Sequence, residues 1–342
     1  MDWVVAAPYF ETADDRWISD SVVGGRHRFT LVPRVGDDRN WHQASASAGV
    51  GEWADRGRQA VAALGAPADG IITVFPQLAA TTAGLKLVRR DHRPLVAWLF
   101  NTEGIATGVR RAGARVALRK VDRFVVHSTA EIPVYQRLLG LPAERFSFVP
   151  LQYGGDVETA RPPDQDEPYV FATGTGYRDY ETFFAAVGKL GHRTLVLASD
   201  RALDGLTVPD NVEILPQISR PEIRRLVRHA AVNVVPLTDG GTTAGLVTIV
   251  ETFRHGRSMV ITRRSGLDDY CNENDNVLCA DLGDVGELAA AIDRMWGDEA
   301  ERARLDAAAL EFAEANCTDA AAAAALVDVL DGLAGQPVGE PR

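Results

Sequence analysis

Residues 236–270 read PLTDGGTTAGLVTIVETFRHGRSMVITRRSGLDDY, and the run just before them, Ala231 to Val235, is apolar and strand-length. A glycine-rich turn leaves that run, a helical stretch extends to His255-Gly256, and a second apolar run, Met259 to Thr262, follows. A turn with two glycines opening a helix leaves backbone N–H groups free to meet an anion. Glu251 is the one acidic side chain in an otherwise apolar helical stretch. Gly240 and Gly241 read either as a plain turn beside a solvated carboxylate or as one wall of a ligand site. The residues that follow the neighbouring strands decide between the two.

Working outward, the same plan repeats. Apolar strand-type runs occur at Asp2–Ala7, Arg28–Pro33, Gly70–Phe75, Pro94–Phe100, Val121–His127 and Phe146–Val149. They recur at Tyr169–Ala172, Thr194–Ser199, Val212–Leu215 and Asn276–Cys279, with helical stretches between them. Strands alternating with helices predict parallel sheets covered on both faces, an α/β fold. Gln152 to Pro168 is rich in Gly, Pro, Asp and Glu and reads as a linker. The expected division is therefore residues 1–155, a linker at 156–168, residues 169–316, and a C-terminal helix at 317–335 that can pack back on the first half. Between Gly36 and Ala48 lies a polar stretch with Trp41 and His42 and no clear period, which reads as a loop.

With 342 residues, the chain suits two domains, and its 46% hydrophobic and 24% charged content is ordinary for a globular protein. A net charge of −11 argues against nucleic acid or an anionic membrane as main partner. Arg110, Arg111, Arg115, Arg119 and Lys120 read as a solvated helix face or as a docking face for an anionic acceptor, with at most peripheral membrane contact. Three cysteines without a CxxC pair argue against a disulfide framework or a zinc site and suit a reducing cytoplasm. The N-terminus reads as a first strand and no apolar run reaches a membrane-spanning length. Abundant Ala and Arg with little Lys suggest a bacterial, high-GC source.

In open parallel sheets, ligands bind beyond the C-terminal strand ends where strand order reverses. After the strands of the second half come Thr173–Arg178, Ser199-Asp200-Arg201, Pro216-Gln217, Thr238–Thr243 and Arg263-Arg264-Ser265-Gly266. These Gly, Ser, Thr and Arg groups suit phosphate oxygens. Gly174, Thr175 and Arg178 on one side, with Gly241, Thr242 and Thr243 on the other, point to a diphosphate site. No DxD pair is placed to hold a divalent ion there, so no metal is expected. In the first half, His127, Asn101, Glu103, Glu131 and the His42 loop fall at or near strand ends, and the resemblance given next implies that they are the acceptor-binding candidates. His127 reads either as a satisfied core histidine or as a group that orients or deprotonates that acceptor.

The second half resembles the nucleotide-sugar domain of glycosyltransferase family 4, of the GT-B fold. The resemblance rests on GTGYRDYETFFAAV, VEILPQISRPEIRRLVRHAAVNVVPL, AGLVTIVETFRHGRSMVITRRSGLDDY and DNVLCADLGDVGELAAAID, in that order, along Tyr169 to Ala315. It implies two Rossmann-like domains facing each other across a cleft. It also implies transfer of a hexose-type sugar from a UDP- or GDP-sugar, with retention, to a small-molecule, glycan or lipid-linked acceptor. The nucleotide sugar is then a co-substrate and no further cofactor is expected. Carried over residue by residue, Glu251 holds the donor ribose, Gly241 to Ala244 face the phosphates and sugar, and Arg178 sits by the diphosphate. The Leu215–Ile218 segment, with Gln217 and Ile218, packs on the base. Thr243 and His127 complete the expected catalytic set with Arg178.

Three positions depart from the family pattern. Thr243 stands where the family has its first motif glutamate. Pro8-Tyr9-Phe10-Glu11 replaces a glycine-rich loop after the first strand. No lysine follows Thr194–Ser199, where Arg201 is the substitute at hand. Two other readings stay open: another GT-B enzyme such as a nucleotide-sugar epimerase, and a degenerate nucleotide-binding or partner protein. A dinucleotide dehydrogenase is disfavoured because no GxGxxG follows the first strand.

Overall fold

The computed structural model describes residues 1–36, 50–101, 109–155, 157–160, 167–240 and 243–334. The chain divides into two compact units, Met1–Val149 with Ala322–Arg342, and Pro150–Ala321. Each is built on a parallel sheet.

In the first unit the strands are β1 (Asp2–Ala6), β2 (Arg28–Val32), β3 (Gly70–Val74), β4 (Leu95–Trp98), β5 (Arg123–Val126) and β6 (Phe146–Phe148). Their order is β2-β1-β3-β4-β5-β6, every pair parallel. The central strands carry apolar side chains without alternation because both faces are covered. One face packs on α1 (Val50–Gly65), α2 (Pro76–Arg89), α3 (Val109–Leu118) and α4 (Glu131–Leu139), through Ala60, Leu78, Leu118 and Tyr135 among others. The other face meets Trp17, Ile18 and the apolar side of the C-terminal helix α11 (Asp319–Ala334), notably Leu326 and Leu330. Asp331 on that helix accepts from His27 Nε2 at 3.0 Å, and His27 Nδ1 in turn accepts from Trp3 Nε1 at 3.1 Å. Strand order reverses between β1 and β3. Beyond the C-terminal ends of β3 and β4 the chain turns through Phe75 and Leu99, both at positive φ (74° and 53°).

In the second unit the strands are β7 (Val170–Thr173), β8 (Thr194–Leu197), β9 (Val212–Ile214), β10 (Val232–Val235), β11 (Met259–Thr262) and β12 (Val277–Ala280). Their order is β12-β11-β10-β7-β8-β9, again all parallel. The order reverses between β7 and β10, and the ends of these two strands are where open parallel sheets generally bind ligands. The helices are α5 (Tyr180–Leu190), α6 (Asp200–Leu203), α7 (Arg220–His229), α8 (Leu246–Arg254), α9 (Val285–Gly297) and α10 (Glu299–Asn316). Asp179 caps α5 by accepting from Thr182 N at 3.0 Å, and Ser219 with Glu222 forms a capping box at α7.

Helix α8 starts later than the sequence suggested. Gly245 is left-handed at φ 86°, and the Leu246 amide bonds to Thr243 O at 3.2 Å, so Thr243–Gly245 form a turn and the helix opens at Leu246. A residue at positive φ cannot continue a right-handed helix. Gly241 and Thr242 lie outside the described residues. The start of the expected linker is tied to the second unit. Leu151 N donates to Tyr270 Oη at 2.8 Å, and Tyr153 N to Cys317 O at 2.9 Å.

Candidate functional site

The turns after β7 and β10 are stitched together at the switch point. Arg178 and Leu237 form an isolated antiparallel bridge, with Asp179 N on Pro236 O at 3.1 Å and Thr238 N on Tyr177 O at 3.1 Å. The Arg178 guanidinium is hydrogen-bonded to this turn and to α8. Nε donates to Thr173 O at 3.1 Å, Nη1 to Gly176 O at 2.9 Å and Nη2 to Thr248 Oγ1 at 3.1 Å. Three of its five N–H donors are thereby spent on the protein. Burial pulls the Arg178 pKa below its ordinary value. Gly174 allows the arrangement: its φ is +123°, and a Cβ there would overlap the guanidinium. Because Thr248 lies in the first turn of α8, Arg178 ties the turn after β7 to the N-terminus of that helix.

A helix N-terminus carries partial positive charge and unsatisfied amides. Glu251 lies five residues beyond Leu246 on the same helix. At a rise of about 1.5 Å per residue the two are about 7.5 Å apart along the axis, a span that suits a diphosphate at one end and a ribose at the other. Glu251 Oε1 accepts from Tyr153 Oη at 2.6 Å and from Arg224 Nε at 3.4 Å. Arg224 also sits over the Tyr153 ring, 5.5 Å from its centroid. Burial, followed by the bond to Glu251, pushes the Tyr153 phenol well above its ordinary pKa, so it stays protonated and donates.

The other donor-side candidates are dispersed. Thr175 is exposed in the turn after β7, and Arg201 is exposed on the short helix α6 that follows β8. Gln217 is exposed and Ile218 half-buried between β9 and α7. Thr243 is half-buried and Ala244 buried in the turn before α8. Arg263 is engaged with Glu273, Asp281 and Glu287.

On the first unit, His127 is buried at the end of β5, its Nδ1 2.8 Å from Val149 O. A carbonyl oxygen only accepts, so Nδ1 carries a proton. Burial lowers its pKa to about 4, which makes it a weak proton acceptor at neutral pH. Glu131 is also buried, at the start of α4, where its carboxylate accepts from Tyr135 Oη at 2.8 Å and His127 N at 3.3 Å. Burial raises its pKa to about 7. This carboxylate closes the 127–131 turn. Asn101 is exposed just after β4. His42 and Glu103 lie outside the described residues. Among the described residues no group of three or more His, Cys, Asp or Glu is placed to hold a metal, and no helix is long and apolar enough to cross a membrane.

Sequence reading missed Tyr153, Arg224 and Thr248. Tyr153 sat in a segment read as linker. Arg224 and Arg228, four apart on α7, both meet that segment, through Tyr153 and Glu158 respectively.

Two parallel six-stranded sheets, the second with its switch-point turns and α8 arranged in this way, define an α/β protein of the GT-B class. Residues 172–298 match the family model described as glycosyl transferases group 1, which makes this part of the chain a glycosyltransferase domain. Among solved structures, sucrose-phosphate synthase from Thermosynechococcus elongatus is similar, with a TM-score of 0.72 at 17% identity over 97% of this chain and 98% of that one. HepE from Anabaena in complex with UDP-glucose matches with a TM-score of 0.68 at 13% identity over 96% and 99%. The apo form of the lipopolysaccharide outer core galactosyltransferase WaaB matches with a TM-score of 0.65 at 11% identity over 97% and 100%. At these identities the likeness is one of fold. No curated protein matches in sequence.

Proposed function

We propose that the chain transfers a hexose-type sugar from a UDP-sugar to an acceptor hydroxyl, with retention and without a divalent metal. The single observation that carries this is the α8 arrangement: Arg178 and the helix N-terminus at one end, Glu251 at about 7.5 Å along the axis. The UDP and UDP-glucose complexes of the structurally similar HepE favour uridine over guanosine. Retention is what the resemblance to glycosyltransferase family 4 implies.

In the reaction the bond between the anomeric carbon and the β-phosphate oxygen breaks, and its electron pair leaves with the diphosphate. The acceptor oxygen forms the new glycosidic bond and gives up its proton to that departing group or to solvent. Charge grows on the diphosphate as the bond breaks, and preorganised donors aimed at it lower the barrier. Arg178 and the first-turn amides of α8 serve as those donors in place of a metal. On the acceptor side His127 orients the acceptor and does not abstract its proton, since burial holds its pKa at about 4.

Thr243 favours one second reading. Where the family places a sugar-contacting glutamate this chain has a hydroxyl, which suits a protein that binds nucleotide but has lost turnover. One experiment tests both: thermal shift with UDP, GDP, ADP, dTDP and their common sugars in the presence of EDTA, followed by NMR of any glycoside formed. Ligand at a hundred times its Kd stabilises by about 2.7 kcal/mol. The expected result is a UDP shift that survives EDTA, with UDP release and a product of retained configuration. A shift without turnover supports the second reading. No shift with any nucleotide refutes both.

A further inference from the structure

We propose that Tyr153 is a positioning residue for the donor ribose, acting through Glu251 and setting the preference for ribo- over deoxyribonucleotides. The inference rests on the reading of Glu251 as the ribose-binding carboxylate. It adds a residue outside the stretch matched by the family model, which begins at residue 172.

A glutamate on a helix surface has several rotamers, and a carboxylate must be held in one of them to meet a diol with directed bonds. Here two donors converge on one oxygen. Tyr153 Oη donates to Glu251 Oε1 at 2.6 Å and Arg224 Nε reaches the same atom at 3.4 Å. Oε1 is thereby occupied, and among the described residues none donates to Oε2. Oε2 is the oxygen left to accept from ribose hydroxyls.

The tyrosine is itself fixed. Its main-chain N–H donates to Cys317 O at 2.9 Å, its carbonyl accepts from Arg254 Nε at 3.3 Å, and its ring meets His255 edge-on at 6.2 Å. The hydroxyl is thus presented from an anchored main chain to a helix that presents Glu251. Arg224 alone does not replace it. Its bond is longer, and its side chain is 39% exposed, so its hold on the carboxylate is shared with water.

Tyr153→Phe removes the O–H and keeps the ring, the cation–π contact and the edge contact with His255. The full chain and its Tyr153→Phe and Glu251→Gln variants are titrated calorimetrically with UDP and with 2′,3′-dideoxy-UDP. A charge-assisted hydrogen bond corresponds to roughly ten-fold or more in affinity. The wild type is expected to prefer UDP by about thirty-fold, less than two independent bonds would give because both hydroxyls share the single oxygen Oε2. In Tyr153→Phe that preference falls to a few-fold because UDP binds about ten-fold more weakly, while the dideoxy ligand binds as before. If both ligands weaken together, the tyrosine only supports the fold and the proposal is overturned. An unchanged preference also overturns it, and leaves Glu251 as the ribose group if Glu251→Gln still abolishes the preference. A wild type without preference, unaltered in Glu251→Gln, refutes the reading of Glu251 itself and this proposal with it.

Discussion

Replacing Glu131 by glutamine should change how stability depends on pH, and the size of the change follows from burial. The folded carboxyl titrates at about 7 against an ordinary 4.5. A raised acid binds its proton more tightly in the folded state, so between these values folding takes up a proton and stability falls as pH rises. Each pH step across that window is worth about 1.4 kcal/mol, so the full swing is on the order of 3 kcal/mol. From pH 8 down to pH 6, a range above the pI of about 5.2 and its solubility minimum, about 1.4 kcal/mol of this should be recovered. Buried His127 works the other way. Its pKa falls from 6.5 to about 4, so it costs stability as pH drops through that window, and in the wild type the two slopes largely cancel between 4.5 and 6.5. Glutamine is isosteric. Its carbonyl can still accept from His127 N and its amide can donate to Tyr135 Oη. Urea melts of wild type and Glu131→Gln at pH 6, 7 and 8 give the difference between them, in which His127 and every other group drop out. The variant should gain on the wild type by about 1.4 kcal/mol between pH 6 and pH 8. A difference independent of pH would refute the argument that burial governs this carboxyl.

Further outcomes follow from named contacts. Arg178→Ala should weaken UDP binding about ten-fold or more in a calorimetric titration, because it removes a cation and releases Thr248 at the start of α8. Gly174→Ala should mimic it, since alanine tolerates φ +123° poorly and its methyl would displace the guanidinium; an affinity equal to wild type would mean that this placement of Arg178 does not matter to the ligand. At the opening of β3, Gly70→Ala would push a methyl into the Trp3 ring of neighbouring β1, and a loss of about 2 kcal/mol is expected in urea unfolding, with no change in UDP affinity.

How far the sequence could be read depended on whether a feature is local. Strand existence was legible because a parallel strand covered on both faces is a continuous apolar run, and Met259–Thr262 was placed to the residue. The residues that follow each strand were legible once the runs were counted, but the reversal between β7 and β10 was not, because strand order is a property of the assembled sheet. The start of α8 was not, because it depends on a left-handed Gly245, whose Cβ would come within 3.2 Å of Leu237 and Val235, and such crowding belongs to the packed fold. Arg178 was found by its type and place, but its engagement with Thr173, Gly176 and Thr248 depends on contacts as far as 70 positions apart. Tyr153 lies 98 positions from Glu251, inside a stretch whose Gly and Pro content argued for a linker. Composition describes a segment's average, whereas one anchored phenol is enough to fix a carboxylate. A site assembled from turns therefore shows its first partners in the sequence, while the residues that aim those partners emerge only when distant segments are brought together.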